Sequence, residues 1–323
     1  MSSGSRDRYA NAAWVFLGYT VLVVLWGALV RATLSGDGCG DHWPLCNGEV
    51  VPVEPNSKTL VELTHRITSG LAWIGALAFA IVARRRFPKG HAARRGAFWG
   101  FFFMTTEALV GAGLVIFRMV ADNPDHARGY WTIAHLCNTF LLLAALTLHA
   151  RWASRPGRLS FRGSQGALVG FGMLAILLVG ATGAIAALGD TLFPVNSLAE
   201  GFAQDLDPAS HLFLQLRGLH PLFAIAAAAY LAIVGGALGS RGRAKGPAFA
   251  VAGIALLQVP LGFLNVVLLA PVWLQLVHLL VADALWIALT LLGTALTGER
   301  SADDRDLVEG EARAGELGAE AHG

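Results

Sequence analysis

Charge is what this sequence has least of. Lys, Arg, Asp and Glu make up 14% of its 323 residues, where soluble domains average about 25%, and 55% of the residues are hydrophobic. Apolar runs of roughly 20 residues, the length that crosses about 30 Å of hydrocarbon, exclude an ordinary soluble enzyme and indicate a polytopic membrane protein. Cysteine is scarce as well: three residues, too few for a disulfide-built scaffold. The polar stretch 1–10 carries neither a cleavable secretory signal nor an Arg-rich transit peptide. The net charge of +2 excludes little, because in a membrane protein the placement of charge matters more than its sum. No nucleic-acid partner is expected; membrane lipid is.

Hydropathy places about eight spans near residues 13–33, 60–83, 97–117, 130–150, 167–188, 212–238, 247–270 and 272–297. Basic residues cluster after the second span (Arg84, Arg85, Arg86, Lys89, Arg94, Arg95), the fourth (Arg151, Arg155, Arg158, Arg162) and the sixth (Arg241, Arg243, Lys245). The opposite connections, 34–59, 118–129 and 189–211, are long and hold few. The positive-inside rule therefore puts both termini in the cytoplasm, in keeping with a bacterial cell membrane. The tail from Gly298 is rich in Ala, Gly, Glu and Asp, a composition that suggests disorder.

The chain repeats itself. His65 and His220 open the second and sixth spans, and His135 and His278 open the fourth and eighth. Glu107-x-x-x-Gly111-x-x-x-Val115 in the third span matches Gln258-x-x-x-Gly262-x-x-x-Val266 in the seventh. Four spans per half is an even number, so both halves enter the bilayer the same way round. The predicted fold is all-α and integral to the membrane: two tandem four-helix bundles related by a pseudo-two-fold axis along the membrane normal. The bundles would occupy 13–150 and 167–297, joined by a cytoplasmic linker at 151–166, with a cytoplasmic N-terminus at 1–12 and the tail at 298–323.

Ionisable groups at membrane depth are costly and mark ligand, ion or redox sites. The stretch Glu62-Leu-Thr-His65-Arg66 places three of them at the head of an apolar run, with Glu62 and His65 on one helical face. Each of His65, His135, His220 and His278 falls roughly 5–8 residues inside the external end of its span, or about 8–12 Å deep at 1.5 Å per residue. Two imidazoles facing one another across a bundle make a bis-histidine heme site. Merely packing or hydrogen-bonding roles suit the remaining histidines, which are His42 and His126 in external loops, His91 and His149 on the inside, His211 before a span and His322 in the tail. The halves differ one turn before their first histidine. Glu62 can take or give a proton or form a salt bridge with Arg66 or Arg31, whereas Arg217 suits a heme propionate or another charge partner.

The first external loop runs Arg31-Ala-Thr33-Leu-Ser35-Gly36 and on to Cys39-Gly-Asp-His42-Trp43-Pro44-Leu-Cys46. Cys39 and Cys46 face an oxidising compartment, where a disulfide is expected; a redox-active thiol pair is the alternative, and zinc would need more ligands than Asp41 and His42 supply. Cys137, inside the fourth span, reads as a packing residue.

The Arg31-x-Thr33-x-Ser35-Gly36 run, the Cys39…Trp43-Pro44-x-Cys46 loop, Glu62-Leu-Thr-His65-Arg66, the three later histidines and Thr182-Gly…Gly189-Asp190…Pro194 together resemble the heme A synthase family, over essentially the whole of 13–297. That resemblance implies oxidation of a methyl substituent of heme O to a formyl group, giving heme A for terminal oxidases. It implies His220 and His278 as ligands of a resident heme b and His65 and His135 as ligands of the substrate heme. Glu62 would be the catalytic carboxylate, and Cys39–Cys46 a loop disulfide over that pocket. Partners would be heme O, the farnesyltransferase that produces it and oxidase assembly factors. The second half has no cysteine pair, so no thiol role carries over there. A diheme cytochrome b-type electron carrier would use the same histidines, and a duplicated proton-coupled transporter would use His and Glu as relays. The one-sided cysteine loop and the Glu62/Arg217 difference favour chemistry at one half.

Overall fold

A computed structural model describes the backbone of residues 3–320 apart from Pro156, Arg158, Ser160 and Arg162, and side chains from 8 to 297 apart from those same four. Arg158 and Arg162 of the fourth span's basic loop, and His322, thus lie outside the described residues.

The described chain is all-α, with no named strand: α1 (Ser3–Ala32), α2 (Ser57–Arg86), α3 (Ala92–Ile116), α4 (His126–Ser154), α5 (Gly163–Leu192), α6 (Leu198–Leu206), α7 (Leu212–Arg217), α8 (Leu219–Ser240), α9 (Lys245–Val267) and α10 (Val272–Glu320). Eight stretches are long and apolar enough to cross a membrane, and each coincides with an expected span. Side-chain caps set several starts. Asn56 accepts the Thr59 amide at the head of α2, Asp125 accepts the Ala127 amide at α4, and Ser197 accepts the Glu200 amide at α6. Arg84, Arg85 and Arg86 close α2, where cations complement the helix dipole.

Two elements differ from a plain hydropathy reading. The sixth span, Leu212–Ser240, is built from α7 and α8 with a joint at Gly218. Pro221 has no N–H to give to the Arg217 carbonyl, so the helical ladder breaks one turn ahead of it. Pro260, by contrast, sits inside an unbroken α9. The other difference is the tail. Disorder is suggested from Gly298 on, yet α10 continues as backbone helix to Glu320, over Ala- and Glu-rich chain of high intrinsic helix propensity.

Large apolar side chains such as Leu22, Leu71, Ile74, Phe171, Leu174, Ile233 and Phe263 lie outside, more than half exposed, where hydrocarbon would cover them. The buried faces are small instead. Ala72, Ala76, Ala80 and Ala83 form one such face of α2, and small residues let backbones approach closely where lipid gives no hydrophobic drive. Helix α1 packs on α2 and α4, and α3 on α2 and α4; α8 packs on α5 and α9, and α10 on α5 and α9. The two sets meet through α4 and α10, the most buried spans at 56% each. There Phe140 and Trp286 stack at 5.0 Å, and Trp286 Nε1 donates to the Phe140 carbonyl at 2.5 Å. At the far end from the cysteine loop, Tyr9 Oη meets His149 Nε2 at 3.1 Å and His149 Nδ1 lies 2.9 Å from the Ala93 carbonyl, so this histidine is a bonded packing residue.

Candidate functional site

The first turns of α2 carry the site's polar end. The Asn56 cap holds Thr59, whose hydroxyl donates to the Gly38 carbonyl at 2.7 Å and so pulls the external loop onto the helix. One turn further in, Glu62 is 3% exposed. Its Oε2 accepts the Cys39 amide at 2.8 Å, and its Oε1 accepts Arg66 Nε at 3.0 Å and Nη2 at 2.5 Å. Arg66 Nη1 donates in turn to the carbonyls of His42 and Leu45, each at 2.5 Å. Cys39 and Cys46 are joined in a disulfide, both all but inaccessible. The loop is therefore fastened to α2 through a carboxylate, a guanidinium and a covalent staple. Of the alternatives open for Glu62, the Arg66 salt bridge forms. Arg31 goes elsewhere, donating to the Ala187 carbonyl, Thr191 Oγ1 and Gln275 Oε1 at 2.7–2.9 Å, and so ties α1 to α5 and α10.

Arg217, at the corresponding place in the second half, is a charge partner of acids. It donates to Asp205 at 2.8 Å, Asp190 at 2.9 Å and the Gly201 carbonyl at 3.2 Å. Those contacts fix α6 and the end of α5 beside α7. Elsewhere on the external surface Arg118 pairs with Asp41 at 2.5 Å, and this hydrogen bond holds the Asp41 carboxyl below the usual carboxylate range. His211 caps α7 and packs on His126 with ring centroids 4.7 Å apart; burial first, and the His126 charge second, push its imidazole below the ordinary histidine value.

Of the four membrane histidines, the two of the second half are brought face to face. The His220 and His278 rings stand 6.5 Å apart between centroids with planes at 88°. Two imidazole nitrogens on one metal, with bonds of roughly 2 Å each, would put ring centroids a little over 6 Å apart. The pair therefore fits an iron between them. A glycine on the adjoining helix faces each of the four rings, and at Gly27 and Gly183 the missing side chain leaves a berth that a Cβ would fill. A Cβ added at Gly27 would come 2.9 Å from His65 Cε1, at Gly183 2.9 Å from His220 Cε1, at Gly262 3.4 Å from His278 Cε1, and at Gly111 3.7 Å from His135 Cε1. His220 Nδ1 lies 3.2 Å from the Val179 carbonyl, which favours the tautomer leaving Nε2 free for a metal.

Reasoning from the sequence singled out Gly111 and Gly262 as repeat markers, but it missed Gly27 and Gly183, and it missed what all four do. It also missed the surroundings of Glu107. That carboxylate accepts Asn138 Nδ2 at 2.5 Å and the Thr139 hydroxyl, and its Oε1 lies 3.4 Å from His135 Nδ1. Asp283 was missed too. It is fully buried on α10, with both oxygens lacking a partner, and the rule that marked Glu62, an acid inside an apolar run, would have found it.

The chain matches the COX15-CtaA family, described as cytochrome oxidase assembly proteins, over residues 10–290. It is 47% identical over 320 residues to proteins named protoheme IX farnesyltransferase from two strains of Thermus thermophilus. These alignments cover 96% of this chain and 52% of each relative, so the chain spans about half the length of those curated relatives. Proteins named heme A synthase from Bacillus cereus are 42% identical over 96 residues, 30% of this chain and 31% of theirs. With eight apolar stretches among the described residues, four membrane histidines each facing a glycine and a family match across nearly all of that frame, the chain belongs to the COX15-CtaA family of cytochrome oxidase assembly proteins.

Proposed function

We propose that this protein is a heme A synthase that oxidises the methyl substituent of heme O to a formyl group. The observation that carries the reading is a set of four membrane histidines, each facing a glycine and two of them 6.5 Å apart between ring centroids, with an acid-bearing, disulfide-stapled loop over one half only. His65 and His135 hold the substrate heme. Heme b, held by His220 and His278, would supply one-electron chemistry beside it. The heme A synthase name borne by the Bacillus relatives supports the same activity.

Turning the methyl into a formyl group breaks two C–H bonds, removes four electrons and adds one oxygen atom. A four-electron oxidant and an oxygen donor from outside the chain would take the electrons and supply the atom. Each C–H bond broken releases a proton that must leave a pocket roofed by the loop. Glu62, buried and one turn from His65, takes that proton, and Arg66 orients its carboxylate. The Cys39–Cys46 staple and the Arg66 bonds to the His42 and Leu45 carbonyls keep the roof closed and exclude water from the reacting carbon. A plain electron carrier needs the histidines but has no use for a roof over one half. The two halves form similar four-helix units lying side by side in a bacterial cell membrane. Basic connections and both termini lie on the cytoplasmic side, and the cysteine loop lies outside. The farnesyltransferase name of the Thermus relatives supports a heme O-producing enzyme as the partner that delivers substrate.

Pigments extracted from cells that make heme O, with and without this chain, test the activity. A formyl porphyrin that appears only with the chain supports the proposal; heme O unchanged under aerobic growth rejects it.

A further inference from the structure

The two halves seat their histidines against equivalent glycines but back them with different acceptors. In the first half Glu107, one turn before Gly111 on α3, lies 3.4 Å from His135 Nδ1. Its position is locked by Asn138 Nδ2 and the Thr139 hydroxyl from α4. The corresponding residue one turn before Gly262 on α9 is Gln258, and the positions three and four after His278 are Val281 and Ala282, which have no side-chain donor to give. Gln258 Nε2 donates to the His278 carbonyl at 3.2 Å, while its Oε1 and His278 Nδ1 are both buried without a partner. His220 Nδ1 faces the neutral Val179 carbonyl. Of the four rings, His135 is the one with a carboxylate beside it. The 3.4 Å is an approach between charge partners rather than a formed hydrogen bond, since His135 Nδ1, like His278 Nδ1, is buried without a hydrogen-bond partner.

A carboxylate behind a ligating imidazole fixes the ring's orientation and raises its basicity, whereas a carboxamide brings no charge. An electron-rich axial ligand favours the ferric over the ferrous state, because hydrogen bonding around the ligands is one of the levers that set heme potential. We infer that Glu107 is a positioning residue for His135 that makes the first-half iron the lower-potential one, and that Gln258 keeps the second-half iron at higher potential. The inference rests on the reading that each pair holds a heme, and it adds a division of electronic roles between the pairs. The Asn138–Thr139 clamp is part of the device, since a carboxylate that is itself hydrogen-bonded cannot swing away from the ring it serves.

Redox titration of the purified full-length chain loaded with protoheme, followed in the visible heme bands, tests this. Gln258→Glu should lower the midpoint of the second-half heme, changing its reduction equilibrium about tenfold, or about 59 mV for a one-electron couple. Glu107→Gln should raise the first-half midpoint by a similar factor and leave the second-half value in place. Glu107→Asp, which restores a carboxylate, should move the first-half midpoint back toward the starting value. Unchanged midpoints in both Gln258→Glu and Glu107→Gln, with bis-histidine bands retained, overturn the inference. Should Gln258→Glu fail to fold, the Glu107 pair of variants decides alone. The underlying pairing is judged separately: bis-histidine bands that persist unchanged in both His135→Met and His278→Met would reject the histidine assignment itself, whatever the potentials.

Discussion

At the scale of single residues, the sequence was most informative where a polar group stood in an apolar run and least informative where the important residue is defined by what it lacks. Glu62, His65 and the three later histidines stand out by hydropathy alone. Gly27 and Gly183 do not, because glycine is common in this chain and its role depends on which ring faces it across a helix pair. The structure makes that role testable. Gly183→Ala would place a methyl 2.9 Å from His220 Cε1, inside the closest approach of real atoms, so the ring must turn; Gly111→Ala, at 3.7 Å from His135 Cε1, meets ordinary contact. Low-spin EPR of the oxidised protein should therefore shift in Gly183→Ala and stay close to the starting spectrum in Gly111→Ala. Equal spectra for both would mean the berths do not set ring orientation. Glu62→Gln keeps the shape of the side chain and removes its capacity to accept a proton. Heme A formation should fall by about a hundredfold or more, the range for losing a general acid–base group, with heme binding retained; chromatography of extracted pigments measures the first and a reduced-minus-oxidised spectrum the second.

At the scale of elements, the eight spans and their order followed from run length, and their limits moved by a few residues where caps or breakers act. The join at Gly218 is the instructive miss. Pro221 was visible, but whether a proline breaks a helix, as at Pro221, or is absorbed, as at Pro260, depends on neighbours that satisfy the freed carbonyl. The short α7 that results starts on His211, whose Nδ1 accepts the Phe213 amide at 3.2 Å and whose ring stacks near His126. Only a neutral imidazole can accept at that nitrogen. Its protonation constant is depressed in the folded state, so the cap contributes above the ordinary histidine value and is lost as pH falls through the folded one. The protection of amides at the start of α7, taken as the exchange rate relative to the intrinsic rate at each pH, should weaken as pH falls below the ordinary histidine value, and His211→Asn, which caps without titrating there, should flatten the dependence. The loop over α2 gives the parallel test for a covalent element. Cys39→Ser with Cys46→Ser leaves the Glu62–Arg66 pair but removes the staple, so protease cleavage within 34–59 should quicken while the spans stay protected.

At the scale of the whole molecule, histidines and glycines recur in register along the sequence, whereas a difference in chemistry between the repeat positions resides in contacts that the sequence does not display. Glu107 and Gln258 look interchangeable as repeat partners; only the approach of Asn138, Thr139 and His135 to one of them separates their chemistry. Likewise Arg217, read from the sequence as suited to a heme propionate or another charge partner, stands beside Asp190 and Asp205, which the sequence did not single out. If each half of the chain holds a heme, with the two sets of helices meeting through α4 and α10, the hemes should be lost one half at a time. If the second pair holds the resident heme, His278→Met replaces one nitrogen ligand by sulfur and changes the bis-histidine spectrum of the protein as purified. His135→Met acts across the Phe140–Trp286 contact and touches no ligand of that site, so it should leave the spectrum intact while stopping heme A formation. The reverse pattern would exchange the roles of the halves, and loss of all heme in both variants would mean that the two sites fold as one.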